Sequence, residues 1–235
     1  MDKKEIFTSG LRKSMPIALG YFPVSFTFGI MAAAGGLSPI TALIISLTNF
    51  TSAGQFAGTQ LMLSSGPLVE IAITTFVINI RYMLMSLAVS QKLAPMKLWE
   101  KLILAFGITD ESFALVSLEK REIPFLHMLG IILGPYIGWA LGTFFGAYAS
   151  SLLPQNLQQA MGIALYAMFI ALIVPGMKKA KAVCIVVIVT IGISLAFDFT
   201  PFIKGFTNGW KIILITLLGS GIGAWLFPID EEDFT

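Results

Sequence analysis

Three neighbouring stretches of this chain place polar and charged side chains inside otherwise apolar runs, and these residues are the ones able to do chemistry. The first holds Thr48, Asn49, Thr51, Ser52, Gly54 and Gln55, the second Asn79 and Arg81, and the third Thr109-Asp110-Glu111-Ser112. One guanidinium faces two candidate carboxylates. If either acid pairs with Arg81, the other is left over, and a surplus carboxyl in an apolar setting suits a proton carrier or a Na⁺ ligand. The plainer reading is an ion pair that only joins helices. Asn79 and Gln55 divide in the same way, between orienting a bound molecule and bonding one helix to the next. Other chemistries lack their residues. There is no paired-histidine metal motif, no glycine-rich phosphate loop and no Gly-x-Ser-x-Gly, and Asp110 is the one mid-segment aspartate, so no intramembrane aspartyl pair can form. The sequence therefore predicts no enzyme, no cofactor and no bound metal. With no nucleotide-binding motif, any transport is not driven by this chain binding ATP.

The elements that carry these residues must lie in a membrane. Charged residues make up 12% of the chain, against roughly 25% in a soluble domain, and mean hydropathy is +0.85. No Asp, Glu, Lys or Arg occurs between Lys13 and Glu70, and none between Glu122 and Lys178, where His127 is the one titratable interruption. A span needs about 20 apolar residues, so each run is long enough for two passes. Turn-forming residues divide the chain into eight segments: Met15–Ala34, Pro39–Leu63, Pro67–Ser90, Leu102–Leu118, Phe125–Ala149, Leu157–Val174, Ala182–Phe197 and Trp210–Phe227. The expected fold is an all-α polytopic membrane protein with six to eight crossings. It has a cytoplasmic segment at 1–14, one transmembrane domain at 15–228 and an acidic cytoplasmic tail at 229–235. A net charge of +2 with no basic cluster offers nothing to nucleic acid. The lone Cys184 reads as packing.

Lysine and arginine in the loops set the orientation. The basic residues before Met15 and the loop of Lys178, Lys179 and Lys181 lie inside if both termini are cytoplasmic. Lys92, Lys97 and Lys101 fall outside under eight plain crossings. They return inside if Pro39–Leu63 and Leu102–Leu118 enter the membrane and turn back, the version favoured here because both segments are polar in the middle. Two spacings predict unwound backbone at mid-depth. Asn79 and Arg81 would point to nearly opposite sides of a regular helix, and Ser112–Leu118 is too short to finish a crossing. Broken helices meeting at the midplane form substrate sites in transporters. Gly130, Gly134, Gly138, Gly142 and Gly146 repeat every fourth residue, the pattern of a helix-packing face. Gly219, Ser220, Gly221 and Gly223 make a second small face, and His127 reads as an interfacial hydrogen-bonding residue.

The order Pro16-Ile-Ala-Leu-Gly-Tyr-Phe-Pro23, Phe28-Gly29, Gly36-Leu37-Ser38, Ala53-Gly54-Gln55-Phe56, Asn79-Ile80-Arg81 and Thr109-Asp110-Glu111-Ser112-Phe113 resembles the AzlC family. One position departs: Tyr82 follows Arg81 where the family commonly has histidine, which removes that position as a proton relay. The resemblance implies a prokaryotic cell-membrane exporter of branched-chain and other neutral amino acids, with a small hydrophobic AzlD-type partner. A zwitterion needs a cation for its carboxylate and an acid for its ammonium. Arg81 with Asp110 and Glu111 could supply both, and Asn79 and Gln55 could fix the orientation. The rival classes are a passive channel and a membrane subunit that transports nothing.

Overall fold

A computed structural model describes residues 2–119, 121–152, 180–199 and 207–228, with isolated positions between 154 and 178. The helices are α1 Lys3–Ala34, α2 Pro39–Thr48, α3 Ala53–Leu63, α4 Leu68–Ser90, α5 Leu98–Phe106, α6 Asp110–Ser117, α7 Phe125–Ala149, α8 Lys181–Phe199 and α9 Asn208–Leu226. The chain is a helical polytopic membrane protein. Among the described residues, five helices (α1, α4, α7, α8 and α9) are long and apolar enough to cross a membrane. The expected segment Leu157–Val174, for all but isolated positions, and the acidic tail lie outside the described residues. The stretch before Met15 is the first part of α1 rather than a separate segment.

The backbone forms two compact units. Met1–Phe56 and Asn79–Leu165 make the first, and Ala57–Ile78 and Tyr166–Thr235 the second. In the first unit α1 and α7 run side by side in parallel. The register climbs together: Gly130 lies against Phe7, Gly138 against Ala18, Gly142 against Phe22 and Gly146 against Phe26. A Cβ added at Gly146 would sit 2.0 Å from the Phe26 carbonyl oxygen, and one at Gly130 would sit 2.3 Å from that of Phe7. Two glycines of α1 answer them, Gly10 against the His127 carbonyl and Gly29 against that of Thr143. The helices therefore touch backbone to backbone, which side chains would prevent.

Two broken helices lean on this pair. The chain leaves α1 through Gly36, at φ +96°, and Ser38 caps α2 by accepting from Thr41 N–H at 3.1 Å. Asn49–Ser52 then interrupts the helix, with Ser52 at φ +50°. The second broken pair, α5–α6, parts at Gly107–Thr109. There Thr109 and Ser112 cap each other's backbone, Thr109 N–H to Ser112 Oγ at 2.8 Å and Ser112 N–H to Thr109 Oγ1 at 3.3 Å. This pair returns to where it began. Ala94 N–H reaches the Ile123 carbonyl at 3.0 Å, Ile123 N–H reaches that of Lys92 at 2.9 Å, and Lys92 Nζ reaches the Ser117 carbonyl at 2.6 Å. Each broken pair has its own apolar core against α7. One gathers Tyr21, Ala42, Phe50, Phe56 and Trp139, and the other Val89, Leu104, Ile108, Val116 and Ile131.

The third segment departs from expectation. α4 is one unbroken helix, Leu68–Ser90, where the Asn79–Arg81 spacing predicted unwinding. The two side chains do leave opposite sides, but each finds its own partner: Asn79 lies on Gly54 and Arg81 on Asp110. Opposed directions need no irregular backbone when different elements flank the helix. In the second unit α8 and α9 pair antiparallel in one register, with Gly223 on Val186, Gly219 on Thr190 and Lys211 Nζ 3.4 Å from Asp198. Gly221 faces open space.

Two outcomes follow from this packing. Gly146→Ala should lower the melting temperature, because the Phe26 carbonyl cannot give way and overpacking costs about 1–3 kcal/mol. Gly20→Ala, where an added Cβ meets nothing within 4 Å, should raise it by up to about 1 kcal/mol of stability, glycine's usual deficit in a helix. Thermal unfolding of both variants in detergent checks the pair, and equal shifts would show the seam to be loose. Secondly, with Cys184 replaced, single cysteines at Lys97 and Arg121 should label from the same face of the membrane. Labelling from opposite faces would mean that the segment between them crosses.

Candidate functional site

The two breaks meet side chains from the middles of α1, α4 and α7. Arg81 reaches from α4 to the first residue of α6, Nη1 to Asp110 Oδ2 at 2.9 Å. Its Nη2 lies 3.4 Å from the Tyr82 hydroxyl, and its Cζ is 5.1 Å from the Tyr82 ring centroid. The Tyr82 hydroxyl in turn donates to the Thr51 carbonyl, in the first break, at 3.1 Å. A continuous polar chain, Asp110–Arg81–Tyr82–Thr51, thus joins the second break to the first. The remaining acid is also engaged: from α1, the Tyr21 hydroxyl donates to the Glu111 carboxylate. The surplus carboxyl expected from the sequence therefore meets a neutral donor. Tyr21 and Tyr82 were not singled out as site residues; Tyr21 entered only within the Pro16–Pro23 motif, and Tyr82 only as standing where the family commonly has histidine.

The other predicted residues fall in different surroundings. Gln55 is fully buried and its amide is used at both ends, Nε2 donating to Ser46 Oγ at 2.6 Å and Oε1 accepting from Trp139 Nε1 at 3.1 Å. Ser46 continues to Thr143 at 2.7 Å, and the Tyr136 hydroxyl donates to the Leu47 carbonyl at 2.8 Å. These bonds fix the end of α2 and the start of α3 on α7. Asn79 holds a buried Oδ1 that has no hydrogen-bond partner, beside Gly54, where an added Cβ would come within 2.3 Å of it. An acceptor of this kind can take a donor from water or a bound molecule. Gly130 to Gly146 stand in the seam with α1, and none faces the charged groups. Among the described residues no set of three His, Cys, Asp or Glu could hold a metal ion.

One buried acid carried no sequence signal. Glu70, 2% exposed, accepts from Gly209 N–H at 2.7 Å and from the Thr207 hydroxyl, so it caps the N-terminus of α9 from α4. At the sequence level it only marked the end of a charge-free run.

Arg81 and Asp110 keep 44% and 40% of their side-chain surface open. Their elements, from α1 through α7, are those matched by the family model for AzlC protein, over residues 16–153. The chain belongs to the AzlC family. It is 37% identical over 180 residues to an uncharacterized membrane protein of Archaeoglobus fulgidus, covering 76% of this chain and 79% of that one. The inner membrane protein YgaZ of Escherichia coli is 28% identical, with 76% of each chain covered. The branched-chain amino acid transport protein AzlC of Bacillus subtilis is 22% identical, over 74% of this chain and 69% of its own. No solved structure matches the chain.

At the end of the α1–α7 pair where α6 finishes, a second charged cluster ties this AzlC-family chain together. Glu119 accepts from Lys13 of α1 and lies 3.5 Å from His127 Nε2 of α7, while His127 Nδ1 is 3.3 Å from the Ile6 carbonyl. The bond from Lys13, with the charges of Lys13 and His127, holds the Glu119 carboxyl below the ordinary carboxylate range. A depressed folded-state pKa adds stability at pH above the unfolded value, and that stability is lost as pH falls through the folded one. Glu119→Gln should therefore lower the melting temperature at neutral pH, and by a smaller margin at an acidic pH below the ordinary carboxylate range. A constant offset at both pH values would show that the cluster contributes no charge-dependent stability.

Proposed function

We propose that this chain exports neutral amino acids, branched-chain ones foremost, across the prokaryotic plasma membrane by proton- or ion-coupled transport. A small AzlD-type membrane subunit is its proposed partner. The observation that carries the reading is the half-open Arg81–Asp110 pair between two helix breaks. Open charge at that depth cannot face lipid, where an arginine or aspartate costs at least about 2.5–3.5 kcal/mol, so it must face water, a bound molecule or another subunit. A zwitterion satisfies both signs. Its carboxylate replaces Asp110 on Arg81 and its ammonium goes to Asp110 and Glu111, while the buried Asn79 Oδ1, on the opposite side of α4, lies away from these charges. Gln55 serves by holding the first break in place rather than by contact, since both ends of its amide are taken.

Membership of a family that includes a branched-chain amino acid transport protein supports a transport role rather than catalysis. Apolar pockets separate Leu, Ile and Val by only about 1–3 kcal/mol per methylene, so broad use of all three is expected. The basic N-terminal turns and the Lys178–Lys181 loop support cytoplasmic termini under the positive-inside rule, with residues 15–228 forming one membrane domain. Leucine counterflow in proteoliposomes, with and without the small subunit, tests the reading. Wild type should show saturable counterflow, and Arg81→Ala should lower it at least about tenfold, the worth of a charged hydrogen bond. Asp110→Asn or Glu111→Gln, but not both equally, should abolish pH-driven uptake while retaining counterflow. Linear, non-saturating flux would identify a channel, and no flux with the partner present would identify a scaffold.

A further inference from the structure

The first unit contains one design twice, in opposite senses. α1 runs away from the Lys13–Glu119 end, and broken α2–α3 follows it; the Asn79–Ser90 part of α4 runs toward that end, and broken α5–α6 follows it. The second half-helices begin alike, Ser52-Ala53-Gly54-Gln55-Phe56-Ala57 against Thr109-Asp110-Glu111-Ser112-Phe113-Ala114. Each break is bonded across to the long helix of the other half. Tyr21 of α1 donates to Glu111 at the start of α6, and Tyr82 of α4 donates to the Thr51 carbonyl in the break before α3.

We infer that Tyr21 and Tyr82 are crossed latches, positioning residues whose hydroxyls each hold the broken helix of the opposite half and so close opposite faces of the membrane domain. The rings have other anchors. That of Tyr21 packs edge-on against Phe50 and Trp139, with centroids 5.9 and 5.3 Å away, and that of Tyr82 lies under Arg81. Removing a hydroxyl therefore leaves its ring in place and cuts the bond to Glu111 or to the Thr51 carbonyl, the latter together with the 3.4 Å contact from Arg81. A single net hydrogen bond is weak enough to open reversibly. Arg81 stands between the latches, 3.4 Å from the Tyr82 hydroxyl and 2.9 Å from Asp110, so whatever engages Arg81 and Glu111 competes with both. This last step rests on the proposed transport reading; the latches themselves do not.

The test uses no substrate. In a Cys184→Ser background, single reporters Thr51→Cys and Phe106→Cys are labelled with a membrane-impermeant maleimide from each face. Tyr82→Phe should speed labelling of Thr51→Cys about fivefold from the face where α1 ends, leaving Phe106→Cys unchanged. Tyr21→Phe should speed Phe106→Cys about tenfold from the opposite face, more because its acceptor is charged, leaving Thr51→Cys unchanged. If Tyr21→Phe fails to reach the membrane, Glu111→Gln tests the same bond from its acceptor side and should give a smaller increase at Phe106→Cys. No acceleration in any variant, or equal acceleration at both reporters, overturns the inference. Crossed labelling without leucine counterflow would sustain the latches and reject the substrate.

Discussion

The structure depends first on the backbone contact between α1 and α7. Lipid tails are as apolar as leucine, so burial against another helix gains little over burial against lipid, and association relies on close packing. Removing side chains at five positions of α7 and two of α1 brings carbonyls of one helix to within van der Waals reach of the other. This leaves the remaining faces of α7 for other work. Trp139 and Thr143 bond to α2–α3, while Ile131 and Ile132 pack with α5–α6. The same helix thus holds both broken elements at fixed height on a stiff pair, and neither broken element has to be stable alone.

Breaking a helix at mid-depth frees backbone groups that water cannot satisfy, so the breaks persist only where protein supplies partners. The two breaks solve this differently. At Thr109 the cap is local, a reciprocal bond with Ser112. At Thr51 the carbonyl accepts the local Gly54 N–H at 3.3 Å and, in addition, a bond from another helix, the Tyr82 hydroxyl. A local cap travels with its helix, whereas a bond from elsewhere ties the break to α4. The two breaks also differ in charge. The first turn of α6 carries Asp110 and Glu111, where negative charge is favoured by the helix dipole, and the first turn of α3 carries none.

Much of this could be read from the sequence because membrane constraints act on composition directly. Charge-free runs marked the long apolar helices, the polar middles of Pro39–Leu63 and Leu102–Leu118 coincide with the two breaks, and a period of four in α7 marked a packing face. The partner of that face was not readable. α1 answers with Gly10, Gly29, Ser14 and backbone, a pattern too sparse to stand out in an apolar run. Tyr21 and Tyr82 were hidden for a related reason: an aromatic in a span reads as filling until a partner for its hydroxyl is seen. Asn79 and Arg81 carried a true signal that was assigned the wrong cause. Their opposed directions reflect two neighbours, Gly54 and Asp110, rather than a bend in α4. Glu70 could not have been placed at all, since its partner lies more than a hundred residues along the chain.

The difference in charge between the two halves bears on direction. If both halves were alike, a molecule between the breaks would meet the same surface from either face, and the proposed cycle would have no preferred step. Here the half whose long helix runs toward the Lys13–Glu119 end brings both carboxylates, Arg81 arrives from that same long helix, and the other break offers the neutral Thr51 carbonyl and Gly54 backbone. Under the proposed function a coupling proton or ion would therefore load on α6, the half-helix whose own C-terminal end is tied by Lys92 to the basic end of the pair. The bond from Tyr21 then has a defined consequence, because it is made to the acid that Arg81 does not neutralise. Whatever binds at Glu111 competes for that one bond, and through it alters the hold of α1 on the second broken helix.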